Sequence, residues 1–347
     1  MKMKKIAGIG FVGILCAVAA VFFIKDVTAD HNVSSPNQKN AQEQKESFLQ
    51  EGKETVVQIE LGEKKYDIFD TYETYLILGT DASGNENAED DSYRGSMADF
   101  LLLVFNKTKD TYACIQLNRD TMTEVQLLNR EGEGEATAEI QLCTAHWYGG
   151  TKEQSCENTV TAVSKMFGGL PVNGYYALSM EKIAKLNRLA GGVKVTIQDD
   201  FSKIDASMKQ GTTITLSDKQ AYTYVHDRYN IGSEDNLSRM SRQREYMKSL
   251  FETIQEKTKE TPNTINKIYK GFKQDAVTDM NGRKISKLTN FISHGTYLGM
   301  HMLEGKATLG KALGDNVEHV EYHVDEKSKI SILTEIYGLQ EGKESNE

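Results

Sequence analysis

Proline is scarce in this chain, 3 residues among 347 against 28 glycines, a balance unlike that of a low-complexity protein. An excess of positive charge is missing too. The net charge is −9 and the pI about 5.5, which argues against a diffuse nucleic-acid surface, because phosphate backbones require a basic face. Any anionic ligand must then be held by a local basic cluster against the global field. Cysteine is limited to 4 residues, and no Cys-x-x-Cys pair occurs among them, so a metal pair is the weaker reading of Cys143 and Cys156. These two flank a polar, glycine-containing stretch and, outside a membrane, suit a disulfide closing a short loop. His146 lies nearby, but a lone histidine is more often structural than a ligand. No internal repeat is visible.

The one long apolar run is residues 6–24, which carries no charge. Its length spans a hydrocarbon core of about 30 Å. Lys2, Lys4 and Lys5 precede it, so the positive-inside rule keeps the N-terminus cytoplasmic and sends the rest outside. A cleaved signal peptide is the rival, with Val27-Thr28-Ala29 as the cleavage site, but its apolar region would exceed the usual ~7–15 residues. Residues 25–54 are polar and read as an extracellular linker.

Beyond it, Tyr75–Thr80, Asp99–Asn106 and Thr111–Leu117 are apolar throughout, as central strands covered on both faces are. Each begins or ends at a charged residue: Asp81, Asp99, Arg119. Later segments alternate helix and strand, so the expected fold class is α/β, an α-β-α sandwich with a mixed central sheet. The stretch Tyr222–Tyr246 gathers four of the chain's nine arginines. Its second half reads as a helix capped by Asp235 or Asn236, with Leu237, Met240, Met247, Leu250, Phe251 and Ile254 as its buried stripe. Arg239, Arg242 and Gln243 project together from one end of it, with Arg228 just upstream. Guanidinium groups at a helix start, where free backbone N–H groups also point outward, suit a phosphate or pyrophosphate. A solvated face balanced by Glu234, Asp235 and Glu245 is the bland alternative.

Taken in order, Gly79-Thr80-Asp81, Ala98-Asp99, Asn118-Arg119-Asp120-Thr121, His146-Trp147-Tyr148-Gly149-Gly150, Gly191-Gly192-Val193-Lys194-Val195, and Arg228 with Asp235, Arg239, Arg242 and Gln243 resemble the motifs of the LytR–CpsA–Psr family of cell-envelope proteins. The likeness covers roughly residues 72–255 and includes the short cytoplasmic tail and single N-terminal anchor. It implies a transferase outside the membrane, moving a glycopolymer from a polyprenyl-pyrophosphate carrier onto peptidoglycan with Mg²⁺ on the pyrophosphate. By position, Asp81 and Asp99 would hold the metal, Arg119, Arg228, Asp235 and Arg239 would be catalytic, and Arg94, Asp120, His226, Arg242 and Gln243 would bind substrate. Magnesium usually uses one or two carboxylates plus phosphate oxygens, and phosphoryl transfer asks the protein mainly for positioning and charge neutralisation. The general base is a carboxylate or His226.

The chain departs from the family pattern. His226-Asp227-Arg228 stands where the family often has two arginines separated by one residue, and Arg94 is the nearest counterpart of an arginine before Asp99. Asn118 replaces a frequent proline, and Gln141 is nearest to a missing lysine. Fewer fixed charges allow a different polymer, a site whose charge follows pH through His226, or reduced catalysis. A pyrophosphatase using water on the same site and a non-catalytic module binding the lipid carrier or wall polymer are the alternative functions. The resulting division is a cytoplasmic tail at 1–5, membrane helix at 6–24, linker at 25–54 and catalytic domain at 55–258. A C-terminal helical extension packed on that domain follows at 259–340, and a disordered tail at 341–347.

Overall fold

The computed structural model describes residues 56–81, 95–261 and 263–342. The expected membrane helix, the linker, Arg94 and residues 343–347 lie outside the described residues, among which no helix is long and apolar enough to cross a membrane.

The chain begins with a hairpin, β1 (Val56–Leu61) and β2 (Lys64–Phe69). Three central strands follow: β3 (Tyr72–Thr80), β4 (Ala98–Asn106) and β5 (Thr111–Leu117). A second hairpin, β6 (Met122–Leu128) and β7 (Gly134–Gln141), leads into a 3₁₀ turn, Leu142–Trp147, and helix α1 (Lys152–Met166). Next come β8 (Tyr175–Ser179), α2 (Lys182–Ala190), the short pair β9 (Lys194–Thr196) and β10 (Thr213–Thr215), α3 (Asp218–His226) and the long α4 (Asn236–Glu260). The last part holds α5 (Thr264–Phe272), β11 (Val277–Thr278), α6 (Gly282–His294), β12 (Thr296–Met302), the hairpin β13 (Gly305–Gly310) and β14 (His319–Val324), α7 (Glu326–Tyr337), and β15 (Gln340–Glu341).

The central sheet has six strands in the order β11-β8-β3-β4-β5-β12. All nine residues of β4 are buried, because successive side chains leave on opposite faces and both faces are covered. Leu76, Leu78, Phe100, Leu102, Ile115 and Leu117 pack on one side with α1, α7 and the first hairpin. Tyr75, Ile77, Leu101, Leu103 and Cys114 pack on the other with α2 to α6. The layering is the expected α-β-α sandwich with a mixed sheet.

Strand direction positions the site. β3 runs parallel to β8, β5 parallel to β12, and β4 antiparallel to both β3 and β5. The C-terminal ends of β3, β5 and β8 and the start of β4 therefore meet at one edge, the usual place for a ligand in an open α/β sheet. Asp81, Asp99, Arg119 and Ser179 all arrive there.

The segment 259–340 is not a helical extension. It contributes both edge strands of the central sheet, β11 against β8 and β12 against β5. β12 gives little sequence signal, since its residues are half-buried or exposed and its register shifts between Tyr297 and Met300 around Gly299, at φ 111°; a bulge of this kind breaks the two-residue period. The hairpin of β6 and β7 occupies a stretch whose glutamates and glycines suggest a loop. Residues 340–341 pair with β2, so Glu341, expected in the disordered tail, lies in a strand.

Candidate active site

Asp81 N–H donates to Met97 O at 2.9 Å and Gly79 stands opposite Asp99, which makes Asp81 and Asp99 diagonal neighbours on one face of the sheet, a spacing of about 7–8 Å between backbones. Gly95 lets the segment before β4 lie against the 3₁₀ turn: a Cβ there would come within 2.2 Å of His146 O. Ser96 Oγ then donates to Asp81 O, while Ser96 O lies 2.9 Å from His146 Nδ1.

The basic groups come from the end of β5 and from α4. Arg119 Nη1 donates to Asp99 Oδ1 at 3.2 Å, and Arg239 Nη2 lies 3.8 Å from the same oxygen. Gln243 Nε2 reaches Asp99 Oδ2 at 3.4 Å and Val225 O at 3.3 Å, and its own carbonyl accepts from Gln116. Helix α4 starts at this point because Asp235 caps it, accepting from Ser238 N–H. All four of Asp99, Arg119, Arg239 and Gln243 are buried. Arg228 is half-buried after α3, against the Tyr229 ring at 5.2 Å, and its charge is felt by Asp120 and Arg239.

Partner counting shows what the cluster lacks. Arg239 Nε and Nη1, Arg228 Nε, His226 Nε2 and Asp81 Oδ1 are buried without a hydrogen-bond partner among the described residues. Native proteins rarely leave such groups unmet unless a ligand or water completes them. Burial pushes the Arg239 pKa down to about 10, so it stays charged at neutral pH. Burial also pushes Asp81 up to about 7, with Arg119 opposing and Asp99 adding to the rise. The edge thus holds guanidinium donors turned toward no described acceptor, beside a carboxylate short of positive charge.

That deficit fits a divalent cation. No group of three or more His, Cys, Asp or Glu gathers as a cage among the described residues. A hard ion held by the two carboxylates Asp81 and Asp99, with its other oxygens from ligand and water, suits this donor set.

Several site residues have other employment. Arg242 is buried, but Nη1 donates to Tyr224 O at 2.6 Å, Nη2 to Asp227 O at 2.8 Å, Nε pairs with Asp199 at 3.0 Å, and the guanidinium lies 5.0 Å from the Phe201 ring centre. It fastens α4 to the end of α3. Asp235 is exposed and caps the helix as expected. Leu237 is 45% exposed and leaves the buried stripe. Asp120 is half-buried, and burial raises its pKa against Arg119, Arg239 and Arg228. His226 is buried, its Nδ1 2.5 Å from Asp227 Oδ1 and its ring stacked on Tyr222. Arg94 lies outside the described residues.

The disulfide is also corrected. Cys143 and Cys156 are both free and buried. Cys143 N–H donates to Arg119 O, and Cys156 Sγ lies 3.8 Å from His146 Nε2. The thiols sit in separate environments on one face of the sheet, and burial pushes the Cys143 pKa up to about 12.

One pair lies outside the expected site residues. Asn118 Oδ1 accepts from Asn236 Nδ2 at 2.8 Å, and Asn236 Oδ1 accepts from Arg239 Nη2. This relay aims Arg239 at Asp99. Its signal was present as Asn118 standing in place of proline and Asn236 at the helix start.

The LytR_cpsA_psr family profile matches residues 27–336. The polyisoprenyl-teichoic acid–peptidoglycan teichoic acid transferase TagU of Bacillus cereus (strain AH820) is 26% identical over 176 residues, 51% of this chain and 50% of that protein. The chain thus matches about half the length of this curated relative. Solved structures share the fold at low identity. Protein gbs0355 from Streptococcus agalactiae superposes with a TM-score of 0.60 at 18% identity, over 79% of this chain and 90% of that one. TagV of B. subtilis gives 0.55 at 17%, over 77% and 98%, and TagT bound to LI-WTA gives 0.52 at 20%, over 78% and 92%. With a family match running through nearly all of its folded part, the chain belongs to the LytR–CpsA–Psr family.

Proposed function

We propose that this protein is a membrane-anchored phosphotransferase that moves a glycopolymer from a polyprenyl-pyrophosphate carrier onto peptidoglycan outside the cell. The observation that carries this reading is the set of buried, unpartnered guanidinium donors of Arg239 and Arg228 beside Arg119. Fixed forks of this kind match an anion with many oxygens, and a pyrophosphate presents them. TagU carries a transferase name and TagT was solved bound to LI-WTA, which supports the same substrate class here. The run 6–24 serves as the anchor, with the lysines before it on the cytoplasmic side.

An acceptor hydroxyl oxygen forms a bond to the glycan-bearing phosphorus, and the bridging P–O bond breaks. Its electron pair leaves on polyprenyl monophosphate. Arg119 and Arg239 face the charge that spreads over the equatorial oxygens, and Arg228 adds to them. Asp227 beside His226 Nδ1 leaves Nε2 bare, which fits His226 as the group that takes the hydroxyl proton. Asp81 and Asp99 would hold Mg²⁺, which supplies neutralisation of phosphate charge when bound.

The test is full-length protein in detergent with labelled polyprenyl-pyrophosphate glycan, Mg²⁺ and peptidoglycan. Label transferred to peptidoglycan is the expected result. Release of label into water alone would replace this reading with a pyrophosphatase, and intact lipid co-purifying without turnover would replace it with a binding module.

A further inference from the structure

Across the sheet edge the order of strands is β8, β3, β4, β5. The arginines lie on the β5 side of the acidic pair. On the β8 side, Asp81 is also part of the wall of a second feature, an open cleft of about 210 Å³ lined by Thr80, Ser179, Glu181, Lys182 and Asp275 among others. Its polar lining mixes hydroxyl, carboxylate and ammonium groups rather than one sign of charge, beside the apolar Ala177, Leu178 and Val277, and Lys182 is held there by Asp275 at 2.7 Å. Two atoms of its lining residues are buried without a partner among the described residues: Asp81 Oδ1, on a residue 9% exposed, and Ser179 Oγ.

A pyrophosphate finds no arginine in this lining, and Lys182, one of its two lysines, is already paired with Asp275. A polyol suits it, since sugar hydroxyls both donate to carboxylates and accept from lysine and serine. In-line displacement also requires the attacking and leaving oxygens on opposite sides of the phosphorus. A phosphate held between the acidic pair and the arginines has the cleft on its other side.

We propose that this cleft is the acceptor subsite, taking an uncharged stretch of glycan and presenting its hydroxyl to the phosphorus across Asp81. The assignment rests on the phosphotransferase reading above and names the place from which its nucleophile comes.

The test is equilibrium binding of a soluble peptidoglycan glycan fragment to full-length protein in nanodiscs, followed by transfer kinetics. Ser179→Trp fills the cleft, and Lys182→Met removes one donor and leaves Asp275 with Lys185. Losing one or two hydrogen bonds should raise the fragment's Kd and the acceptor KM in Lys182→Met by roughly three- to ten-fold. Ser179→Trp should abolish fragment binding. The KM for the lipid-linked donor should stay at the wild-type value in both. Fragment binding to Ser179→Trp equal to wild type, no binding to wild type, or a change confined to the donor KM would each overturn the subsite. Binding that follows the expected pattern in a protein that transfers nothing would uphold the cleft as a glycan site and sink the transferase reading instead.

Discussion

Arg239 and Arg242 lie three residues apart on α4 and are both buried, yet their donors meet different partners. Arg242 spends its donors on two backbone carbonyls and Asp199. Arg242→Met takes the donors from the carbonyls of Tyr224 and Asp227 and leaves Asp199 with Ser238 alone, and should cost about 2–4 kcal/mol, read from urea unfolding of the purified chain. Arg239→Met removes a buried charge with two unpartnered nitrogens, so stability should hold or rise by about 1–2 kcal/mol while affinity for a pyrophosphate ligand falls ten-fold or more. Equal destabilisation by the two variants would deny Arg239 its ligand role. Spacing alone could not separate these residues, since positions three apart share a helix face; the difference lies in Asp199 and Phe201, remote in sequence. Asp81 supports a second measurement. If it helps hold a divalent cation, Mg²⁺ should raise the wild-type melting temperature at pH 7.5, and Asp81→Asn should lose most of that rise. An equal rise in both would place the ion elsewhere. His146 supports a third. Burial lowers its pKa to about 4, while in the unfolded chain it titrates near 6.5. The unfolded state therefore binds the extra proton first as pH falls. The stability tied to neutral His146 is complete above about pH 6.5 and lost progressively toward pH 4, about 3 kcal/mol in all. His146→Gln should flatten that acid-side decline in urea midpoints measured from pH 7 to 4, and an unchanged slope would assign it to other groups.

At the level of elements, the central strands were legible because burial on both faces writes them as unbroken apolar runs, and α4 because its stripe and cap agree. The edges were not. β11 is two residues long, β12 carries a bulge, and neither presents an alternating pattern. Their identity comes from pairing with β8 and β5, which local sequence does not record. For the same reason the segment 259–340 reads as an extension packed on the domain. It is built in: Leu333, Ile336 and Tyr337 of α7 are buried in the core beneath the sheet, and Tyr337 Oη lies 2.7 Å from Thr74 Oγ1 on β3. Tyr337→Phe should cost about 1–2 kcal/mol by leaving Thr74 unmet, and Leu333→Ala about 2–5 kcal/mol through the cavity it opens. Both are read by chemical denaturation of the full chain. Losses below a few tenths of a kcal/mol would mean that α7 is an appendage after all.

For the whole molecule, the question is which side of a membrane the folded part occupies, and it turns on residues outside the described structure. Lys2, Lys4 and Lys5 precede the run 6–24; Lys25 follows it directly, and Lys39, Lys45 and Lys53 come later in the polar stretch before β1. An uncleaved anchor with its N-terminus inside would leave those three lysines outside, joined to a domain whose strands and helices are closely packed. Trypsin applied to intact spheroplasts should therefore cut between residues 39 and 53 and release a large folded fragment into the medium, its N-terminus readable by sequencing. Before trypsin the protein should sediment with membranes. A chain already soluble outside the cell, beginning at Asp30, would favour a cleaved signal peptide with the same final location. A chain untouched until lysis would place the arginine cluster in the cytoplasm, away from peptidoglycan, and the proposed transfer would fall with it.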